Sequence, residues 1–338
     1  RKQMPNGKIR LAHLKNKERY TMLKKVLAFF GASVLAVSLA ACAPAAQEAT
    51  TGGLIAIITV DQANPFWQAE AETAKKEAEA LGYTTTVADH KNDPNAQSEL
   101  IDTAIANKAV AIILDPAGAD ESIGAVQKAT DAGIPVFLVN AEINTSGIAK
   151  SQIVSNNAQG AAIGAEEFAK AMGQKGEYVE LFGNPTDNNA GVRSEGYKSV
   201  LSQYPDMKNV GKEVANWDRA QGKDKMDSLL QAHPKIKGVI AGNDEMALGA
   251  IAALEAAGRT DVVVGGFDGN GDSAAAVAKG TMAYTVLQPI VTLAKMAIEQ
   301  AHSFLTTGET GVADEKQSVD CVLINPDNVS KYTFWAVG

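Results

Sequence analysis

Apolar and polar positions alternate along the chain in a repeated pattern of short apolar runs and longer mixed segments. Continuous apolar runs are typical of strands buried on both faces of a sheet, and the mixed segments that follow, often ended by glycine, are typical of helices. The predicted strands cover residues 54–60, 84–88, 110–114, 135–139, 176–182, 209–215, 238–241 and 262–267. The predicted helices cover residues 66–81, 95–108, 121–132, 191–204, 221–233 and 245–257. This alternation predicts an α/β fold with mostly parallel sheets covered by helices on both faces.

Two stretches of the chain share the same order of elements. Residues 111–139 and 239–264 both run from a strand through a polar corner into a helix, an Ala-Gly stop and a second strand. A chain of 338 residues with 46% apolar content is also long enough for two cores. We therefore predict two similar doubly wound parallel-sheet lobes, with the strand ends of both facing one cleft.

Polar and aromatic residues gather where predicted strands end, which is the ligand-binding edge of an open α/β sheet. Asn243 follows the strand 238–241 and either caps the next helix or contacts a ligand. Asn64, Phe66 and Trp67 lie at the first strand-to-helix corner. Amides bind hydroxyl groups and aromatic faces stack on the C–H faces of small polyhydroxylated molecules, although each ring also suits a core.

The other predicted site residues follow strands or open helices in the same way. Arg193 lies at the front of the predicted helix 191–204, where the positive end of the helix dipole disfavours a cation. A role in recognition accounts better for Arg193, because a guanidinium is a rigid fork that fits neighbouring oxygens. The remaining candidates are Asn140, Trp217, Asp268 and Gln288.

Charge and residue counts exclude several classes of partner. The formal net charge is −8, and from residue 42 onward 22 basic and 38 acidic residues give −16, which disfavours nucleic acid and anionic lipid surfaces. The chain has only two cysteines, Cys42 and Cys321, and four scattered histidines. None of them has metal-ligand spacing, so we predict no metal and no cofactor.

The N-terminal region has the features of an export leader. Lys24 and Lys25 precede a 16-residue apolar segment, shorter than the roughly 20 residues that a spanning helix needs. The sequence before Cys42 resembles a bacterial lipobox, so we predict lipidation of Cys42; ordinary secretory cleavage is the alternative. We interpret residues 1–41 as a leader with a signal peptide at about 22–41, and residues 42–53 as a flexible tether.

From about residue 54 to 338 the chain resembles the periplasmic binding proteins of the ribose type, which are substrate-binding subunits of ABC sugar importers. The resemblance covers both predicted lobes in order. The motifs that carry it are residues 64–67, 193–197, 217–219, 242–250, 266–269 and 285–288.

The resemblance implies a periplasmic binding protein fold of type I with three hinge crossovers. These would pass near Ser155, Gln288 and Asp320. The implied N-terminal lobe comprises residues 54–155 and 289–320. The implied C-terminal lobe comprises residues 156–288 and 321–338.

The resemblance also implies the sugar contacts. Asn64 and Gln288 would bond hydroxyl groups, while Arg193, Asn243 and Asp268 would clamp oxygens. The rings that would enclose the ligand are Phe66, Trp67 and Trp217. Ribose binders typically have Asp-Arg where this chain has Asn140-Ala141, so another pentose, a short polyol or a related small molecule is favoured over ribose.

The predicted function is capture of a small uncharged sugar or polyol by closure of two lobes, followed by delivery to the permease and ATPase subunits of an ABC importer. We predict an exported monomer, located in the periplasm or held by a lipid on the outer face of the cytoplasmic membrane. The membrane would be contacted only through that lipid.

Three alternatives are less well supported by the sequence. Residues 269–274 formally match a dinucleotide fingerprint, but Asp268 and Asp272 would repel a pyrophosphate. A glycosidase would need an acid partner for Asp268, which the sequence does not reveal. A sugar-responsive regulator would need a helix-turn-helix before the first lobe, where this chain has an apolar leader. We therefore predict a binding protein and not an enzyme.

Overall fold

A computed structural model describes residues 52–338 of the chain. The predicted signal peptide, Cys42 and most of the predicted tether lie outside the described residues. The strands are β1 Leu54–Thr59, β2 Thr84–Asp89, β3 Ala111–Leu114, β4 Val136–Asn140, β5 Ser151–Ser155, β6 Gly176–Phe182, β7 Met207–Val214, β8 Gly238–Ala241, β9 Val263–Gly265, β10 Thr285–Leu287, β11 Lys316–Val319, β12 Val322–Ile324, β13 Tyr332–Thr333 and β14 Ala336–Val337. The helices are α1 Pro65–Ala80, α2 Pro94–Ala106, α3 Ile123–Asp131, α4 Asn157–Ala171, α5 Asn188–Leu201, α6 Arg219–Ala232, α7 Asp244–Ala256, α8 Gly271–Lys279, α9 Ile290–Thr307 and a 3-10 helix at Val329–Lys331.

The first sheet has six parallel strands in the order β2-β1-β3-β4-β5-β11. Alternate residues of a strand point to opposite faces, so the apolar strands supply two cores. Ile57 and Ile113 belong to the core that contains α1 and α9. Ile58 and Leu114 belong to the core that contains α2 and α3. Both faces of the sheet are therefore covered, as predicted.

The second sheet repeats this arrangement with parallel strands in the order β7-β6-β8-β9. Single bridges, Gly265 with Tyr284 and Asp268 with Leu287, place β10 beside β9. Strand β12 then pairs antiparallel with β10. The segments β3-α3-β4 and β8-α7-β9 occupy equivalent positions in the two sheets, and they contain the two stretches that share an order of elements in the sequence.

Several elements were not predicted, and their composition explains why. Helix α4 contains Gly160 and Gly164, which lower helix propensity. A Cβ atom at Gly160 would lie 2.8 Å from the ring of Phe267 and 2.9 Å from Sγ of Cys321. The glycine is thus required by close packing of α4 on the second sheet. Strands β10 to β14 are short, and short strands give no clear periodicity.

The chain passes between the two sheets at three neighbouring places. One lies between β5 and α4, one between β10 and α9, and one between β11 and β12. Asn156 Nδ2 donates to Asp320 Oδ1 at 2.7 Å, which joins the first and third crossovers. Gln159 contacts the backbone of Cys321, a buried free thiol, at the same point.

None of the helices in residues 52–338 combines the length and apolar character needed to cross a membrane. In the same residues, no group of three or more His, Cys, Asp or Glu side chains is arranged to hold a metal ion.

Candidate functional site

A small buried chamber lies between the carboxyl ends of the strands of the two sheets. In this closed arrangement its cavity volume is about 20 Å³. The chamber is lined by Asn64, Phe66, Trp67, Asn140, Asp187, Asn189, Arg193, Trp217, Asn243, Asp268 and Gln288. All nine ligand-binding residues predicted from the sequence are thus brought together around one space, with Asp187 and Asn189 in addition. What these residues bind stays a prediction.

The start of α1 supplies one wall of the chamber. Asn64 caps the helix, because its Oδ1 accepts from the backbone N–H of Phe66 at 2.9 Å, and Pro65 suits the first helical turn. The cap occupies the amide oxygen, so the NH₂ group of Asn64 remains available to donate. The rings of Phe66 and Trp67 meet edge to face with centroids 6.4 Å apart. Both rings are buried, so each is also part of the core.

Asn140 forms the wall at the end of β4. Its backbone has a φ of 67°, a left-handed conformation that asparagine tolerates better than most residues. Its Nδ2 donates to Asp115 Oδ2 at 2.8 Å, and its buried Oδ1 has no protein partner. A buried acceptor without a partner costs free energy, and a ligand hydroxyl would satisfy it.

Arg193 lies in the second turn of α5, not at the front of a helix as predicted, because the helix begins at Asn188 rather than at residue 191. Its Nε donates to Asn157 Oδ1 and its Nη1 to the Gly242 carbonyl, both at 2.8 Å. The guanidinium stacks 3.9 Å from the centroid of Phe267. The dipole argument for Arg193 was therefore wrong, and buried hydrogen bonds hold the side chain in place.

Asp268 and Gln288 form the wall nearest the crossovers. Gln288 Nε2 donates to Asp268 Oδ1 at 2.7 Å, and Nη1 of Arg193 lies 3.8 Å from the same oxygen. Burial raises the pKa of Asp268 well above its usual value, while the charge of Arg193 acts to lower it. The buried Oε1 of Gln288 has no protein partner, so it is a second acceptor available to a ligand.

Asn243 is both a helix cap and part of the chamber wall. Its Oδ1 accepts from the backbone N–H of Met246 at 3.0 Å, and its Nδ2 donates to the Trp217 carbonyl at 3.2 Å. The capping interpretation is therefore correct. The Trp217 ring packs so closely on Gly183 that a Cβ atom at Gly183 would lie 2.1 Å from it. This glycine makes room for the ring.

Hydrogen bonds join the two halves across the cleft. The backbone N–H of Ala119 donates to the Thr186 carbonyl at 2.9 Å, and Asn189 Nδ2 donates to the Asn140 carbonyl at 3.1 Å. Asn188 Nδ2 also donates to Asn144 Oδ1 at 2.7 Å. The strands on either side of these bonds belong to different sheets, so the structure is a closed one.

A wider groove of about 1050 Å³ adjoins the chamber and shares Asn64, Trp67 and Trp217 with it. Ion pairs and solvated side chains form much of its surface, including Arg219 with Glu245 at 2.7 Å. The acceptors without partners line the small chamber instead. The chamber is therefore the better candidate for recognition of a small polar molecule.

Four residues in or behind the chamber were not predicted from the sequence. Asp187 and Asn189 belong to the polar run at the start of α5, and Asp187 caps that helix. Asp115 directly follows β3, a position of the kind that was used to select the other candidates. Glu70 lies one turn into α1 and is buried. Only Glu70 lacked a positional signal, since a glutamate on a helix is usually exposed.

An enclosed chamber of rings, amides and one ion pair between two joined α/β lobes defines a protein that captures a small polar solute. The chain belongs to the periplasmic binding protein domain family, whose model matches residues 55–310.

Three relatives describe that membership. The chain is 53% identical to the D-apiose import binding protein of Actinobacillus succinogenes, over 89% of this chain and 96% of that protein. It is 32% identical to the ribose import binding protein of Escherichia coli, over 81% and 92% of the two chains. An ABC transporter periplasmic solute-binding protein of Actinobacillus succinogenes, solved with bound D-allose, superposes with a TM-score of 0.77 and 28% identity, covering 83% of this chain and 100% of that one.

These comparisons confirm the predicted family, the type I fold and the class of function. The protein is a sugar-binding protein of ABC import, and its relatives are substrate-binding transport proteins. Binding proteins of importers work in the periplasm, which agrees with the predicted export.

Proposed function

We propose that the protein captures D-apiose for an ABC importer. D-Apiose is a branched five-carbon sugar, and so falls within the predicted class of pentoses other than ribose. The chain is more similar to a D-apiose import binding protein, at 53% identity, than to a ribose import binding protein, at 32%. The observation that carries the proposal is the closed chamber, which contains the acceptors that an uncharged sugar needs.

The chamber suits a neutral molecule with several hydroxyl groups. Asn140 Oδ1 and Gln288 Oε1 are buried acceptors without protein partners, and the hydroxyl hydrogens of a sugar would satisfy them. Arg193 and Asp268 already pair with each other at 3.8 Å, so a charged ligand is not required. Because buried polar groups left unpaired are costly, a sugar with hydroxyl groups at other positions would bind more weakly.

We expect D-apiose to raise the melting temperature of the purified protein more than any other sugar in a thermal-shift screen. Calorimetry is expected to give a Kd at least about 100-fold lower for D-apiose than for D-ribose, a difference of about 2.7 kcal/mol. D-Allose, L-arabinose and myo-inositol complete the sugar and polyol set.

The same screen includes NAD and aryl glycosides. Equal or tighter binding of ribose would contradict the proposed ligand and leave the class intact. We further propose that the protein has no catalytic activity, which release of sugar from a glycoside would contradict. Stabilisation by NAD alone would instead favour the dinucleotide-binding alternative.

Capture is proposed to occur by closure of lobes 54–155 plus 289–320 and 156–288 plus 321–338. A ligand that contacts Asn140 on one lobe and Asp268 on the other binds the closed state better, and so shifts the equilibrium toward it. The three crossovers between the sheets would act as the hinge. The permease and ATPase subunits of the importer would then receive the closed, loaded protein.

We also propose that the protein is a lipoprotein attached through Cys42. Replacement of Cys42 with serine is expected to move the exported protein from the membrane fraction to the soluble fraction, because a lipid chain supplies most of the membrane affinity. Fractionation followed by immunoblotting checks this, with Cys321→Ser as the matched control. An unchanged distribution of Cys42→Ser would support simple secretory cleavage instead.

A further inference from the structure

The backbone of Asp268 has a strained conformation in the chamber wall. Its φ is 133°, in a region that residues other than glycine rarely adopt. Two hydrogen bonds tie it to the backbone of residues 286–288. The Asp268 N–H donates to the Val286 carbonyl at 2.7 Å, and the Asp268 carbonyl accepts from the Gln288 N–H at 2.9 Å. Such strain persists only where the surrounding structure holds the backbone in place.

A single buried carboxylate holds the two amides that follow Asp268. The Asn270 N–H donates to Asp244 Oδ2 at 2.8 Å. The Gly269 N–H donates to Thr285 Oγ1 at 3.1 Å, and this hydroxyl donates in turn to Asp244 Oδ1 at 2.6 Å. Asp244 therefore binds one amide directly and the other through Thr285, so that every N–H from residue 268 to residue 270 has an acceptor.

Asp244 and Thr285 lie behind the chamber wall. Both are fully buried, and neither lines the chamber. A Cβ atom at Gly266 would overlap Asp244 Oδ1, so glycine is needed there for the carboxylate to reach its partners. Asp244 is the first residue of α7, where an acidic side chain is favourable for the helix by itself. Its oxygens nevertheless accept from residues outside α7, which a role in the helix alone does not explain.

We propose that Asp244 and Thr285 are positioning residues of the sugar site, which hold residues 268–270 so that the Asp268 carboxylate stays in the chamber wall. The inference rests on the proposed sugar-binding function and adds residues that prepare the site. Asp244, Thr285 and residues 268–270 all lie in the proposed lobe 156–288, so their bonds do not depend on lobe closure. The Asp268 carboxylate is therefore in place before the sugar arrives, which lowers the entropy lost on binding.

The charge of Asp244 agrees with this geometry. Burial raises the pKa of Asp244, whereas the hydrogen bonds from Thr285 and Asn270 lower it, and the resulting pKa is about 6. Asp244 is therefore mostly ionised at pH 7.5. An ionised carboxylate offers acceptors on both oxygens, as the two bonds require, and its charge strengthens them.

The test compares Thr285→Val with Thr285→Ser by calorimetry at pH 7.5. Valine has nearly the shape of threonine but no hydroxyl, so the buried Gly269 N–H loses its acceptor and Asp244 loses a donor. The Kd for D-apiose is expected to rise at least about tenfold. Thr285→Ser keeps the hydroxyl and is expected to bind within about threefold of the wild type, although loss of the buried methyl group lowers the free energy of unfolding. Weaker binding by both variants alike, or by neither, would overturn the inference.

Asp244→Asn tests the acceptor end of the same chain of bonds. The variant keeps the size of the side chain but replaces one carboxylate oxygen with an NH₂ group, so either the Asn270 N–H or the Thr285 hydroxyl loses its acceptor. The Kd for D-apiose is expected to rise at least about fivefold at pH 7.5. Thr130→Val is the matched control, since it removes a hydroxyl that donates to the Ile148 carbonyl at 2.8 Å, outside the chamber. It is expected to lower the free energy of unfolding without changing the Kd.

Hydrogen exchange of the sugar-free protein, followed by NMR, gives a readout that does not depend on the ligand. The Gly269 amide is expected to exchange at least about tenfold faster in Thr285→Val than in Thr285→Ser, relative to the amides of β8 as the internal reference. Equal exchange of this amide in the two variants would overturn the inference. If the wild type does not bind D-apiose but the Gly269 amide behaves as expected, the proposed ligand is wrong and the hold on residues 268–270 stands.

Discussion

Replacement of Arg193 with alanine is expected to lower the affinity for D-apiose at least about 1000-fold, or about 4 kcal/mol. The guanidinium lies in the chamber wall, and it compensates the buried carboxylate of Asp268 at 3.8 Å. Its removal also leaves the Gly242 carbonyl and Asn157 Oδ1 without their donors. Calorimetry with D-apiose measures the binding loss.

The same substitution is expected to destabilise the fold, since breaking one side of a buried charge pair costs about 3–5 kcal/mol. A role in recognition alone would predict loss of binding with the fold intact. The buried bonds of Arg193 change that expectation. Denaturant unfolding at a fixed pH measures the effect of Arg193→Ala. A second variant, Arg193→Lys, keeps the positive charge but not the guanidinium fork that reaches two acceptors at once.

Arg259→Ala is the matched control for Arg193→Ala. Arg259 also donates to two backbone carbonyls, those of Pro234 and Ile236, and pairs with Asp261 at 2.7 Å, but it lies outside the chamber. Arg259→Ala is expected to lower the free energy of unfolding without changing the Kd for D-apiose. If Arg193→Ala binds D-apiose as tightly as Arg259→Ala does, the chamber is not the ligand site.

The sequence identified the chamber because strand ends of parallel sheets converge at one edge. Asn64, Asn140, Asn243 and Asp268 each follow a predicted strand, and position alone was enough to select them. Which atom of each side-chain amide faces the chamber depends on its hydrogen-bond partners, and position in the sequence does not give them. Asn243 looked like a choice between cap and ligand contact, whereas its oxygen caps α7 and its whole side chain also lines the chamber.

Residues that lie buried behind the wall could not be selected in this way. Glu70 lies on a helix whose buried face is otherwise made of small and apolar residues. Its burial depends on the distance between α1 and β3, which no local pattern encodes. Helix α4 was missed for the same reason. Its Gly160 packs against Phe267 and Cys321, and its Gly164 against Tyr284 and Val286, all more than 100 residues away. Packing between residues far apart in the sequence explains both the burial of Glu70 and the glycines of α4.

Trp335 is expected to be the second most sensitive position, although it lies outside the chamber and near the C-terminus. It is 6% exposed, and its ring meets that of Phe66 edge to face with centroids 5.7 Å apart. The preceding strand β12 and the 3-10 helix pack on the second sheet and α8, whereas Phe66 belongs to α1 beside the first sheet. The contact therefore connects the two halves and supports a ring of the chamber wall.

The backbone of this turn supports a role for the contact. Phe334 and Trp335 form the two-residue loop between β13 and β14, with φ values of 26° and 57°. Such loops favour Asn-Gly, and a positive φ costs a bulky residue roughly 1 kcal/mol or more. Two aromatic residues in this conformation are retained only if packing offsets the strain. Trp335 is buried and supplies that packing, whereas Phe334 is 64% exposed and only meets the Trp335 ring edge to face with centroids 6.5 Å apart.

We expect Trp335→Ala to raise the Kd for D-apiose about 30- to 100-fold, about 2–3 kcal/mol, mainly through faster dissociation. Stopped-flow release of the sugar and calorimetry measure the two quantities. Phe334 lies in the same strained turn but does not form the ring contact with Phe66. Phe334→Ala is therefore expected to bind D-apiose like the wild type. Trp335→Gly separates strain from contact: it relieves the positive φ, yet it is expected to weaken binding as much as alanine does. Tighter binding by Trp335→Gly than by Trp335→Ala, at equal stability, would mean that the strained turn and not the ring contact with Phe66 governs dissociation.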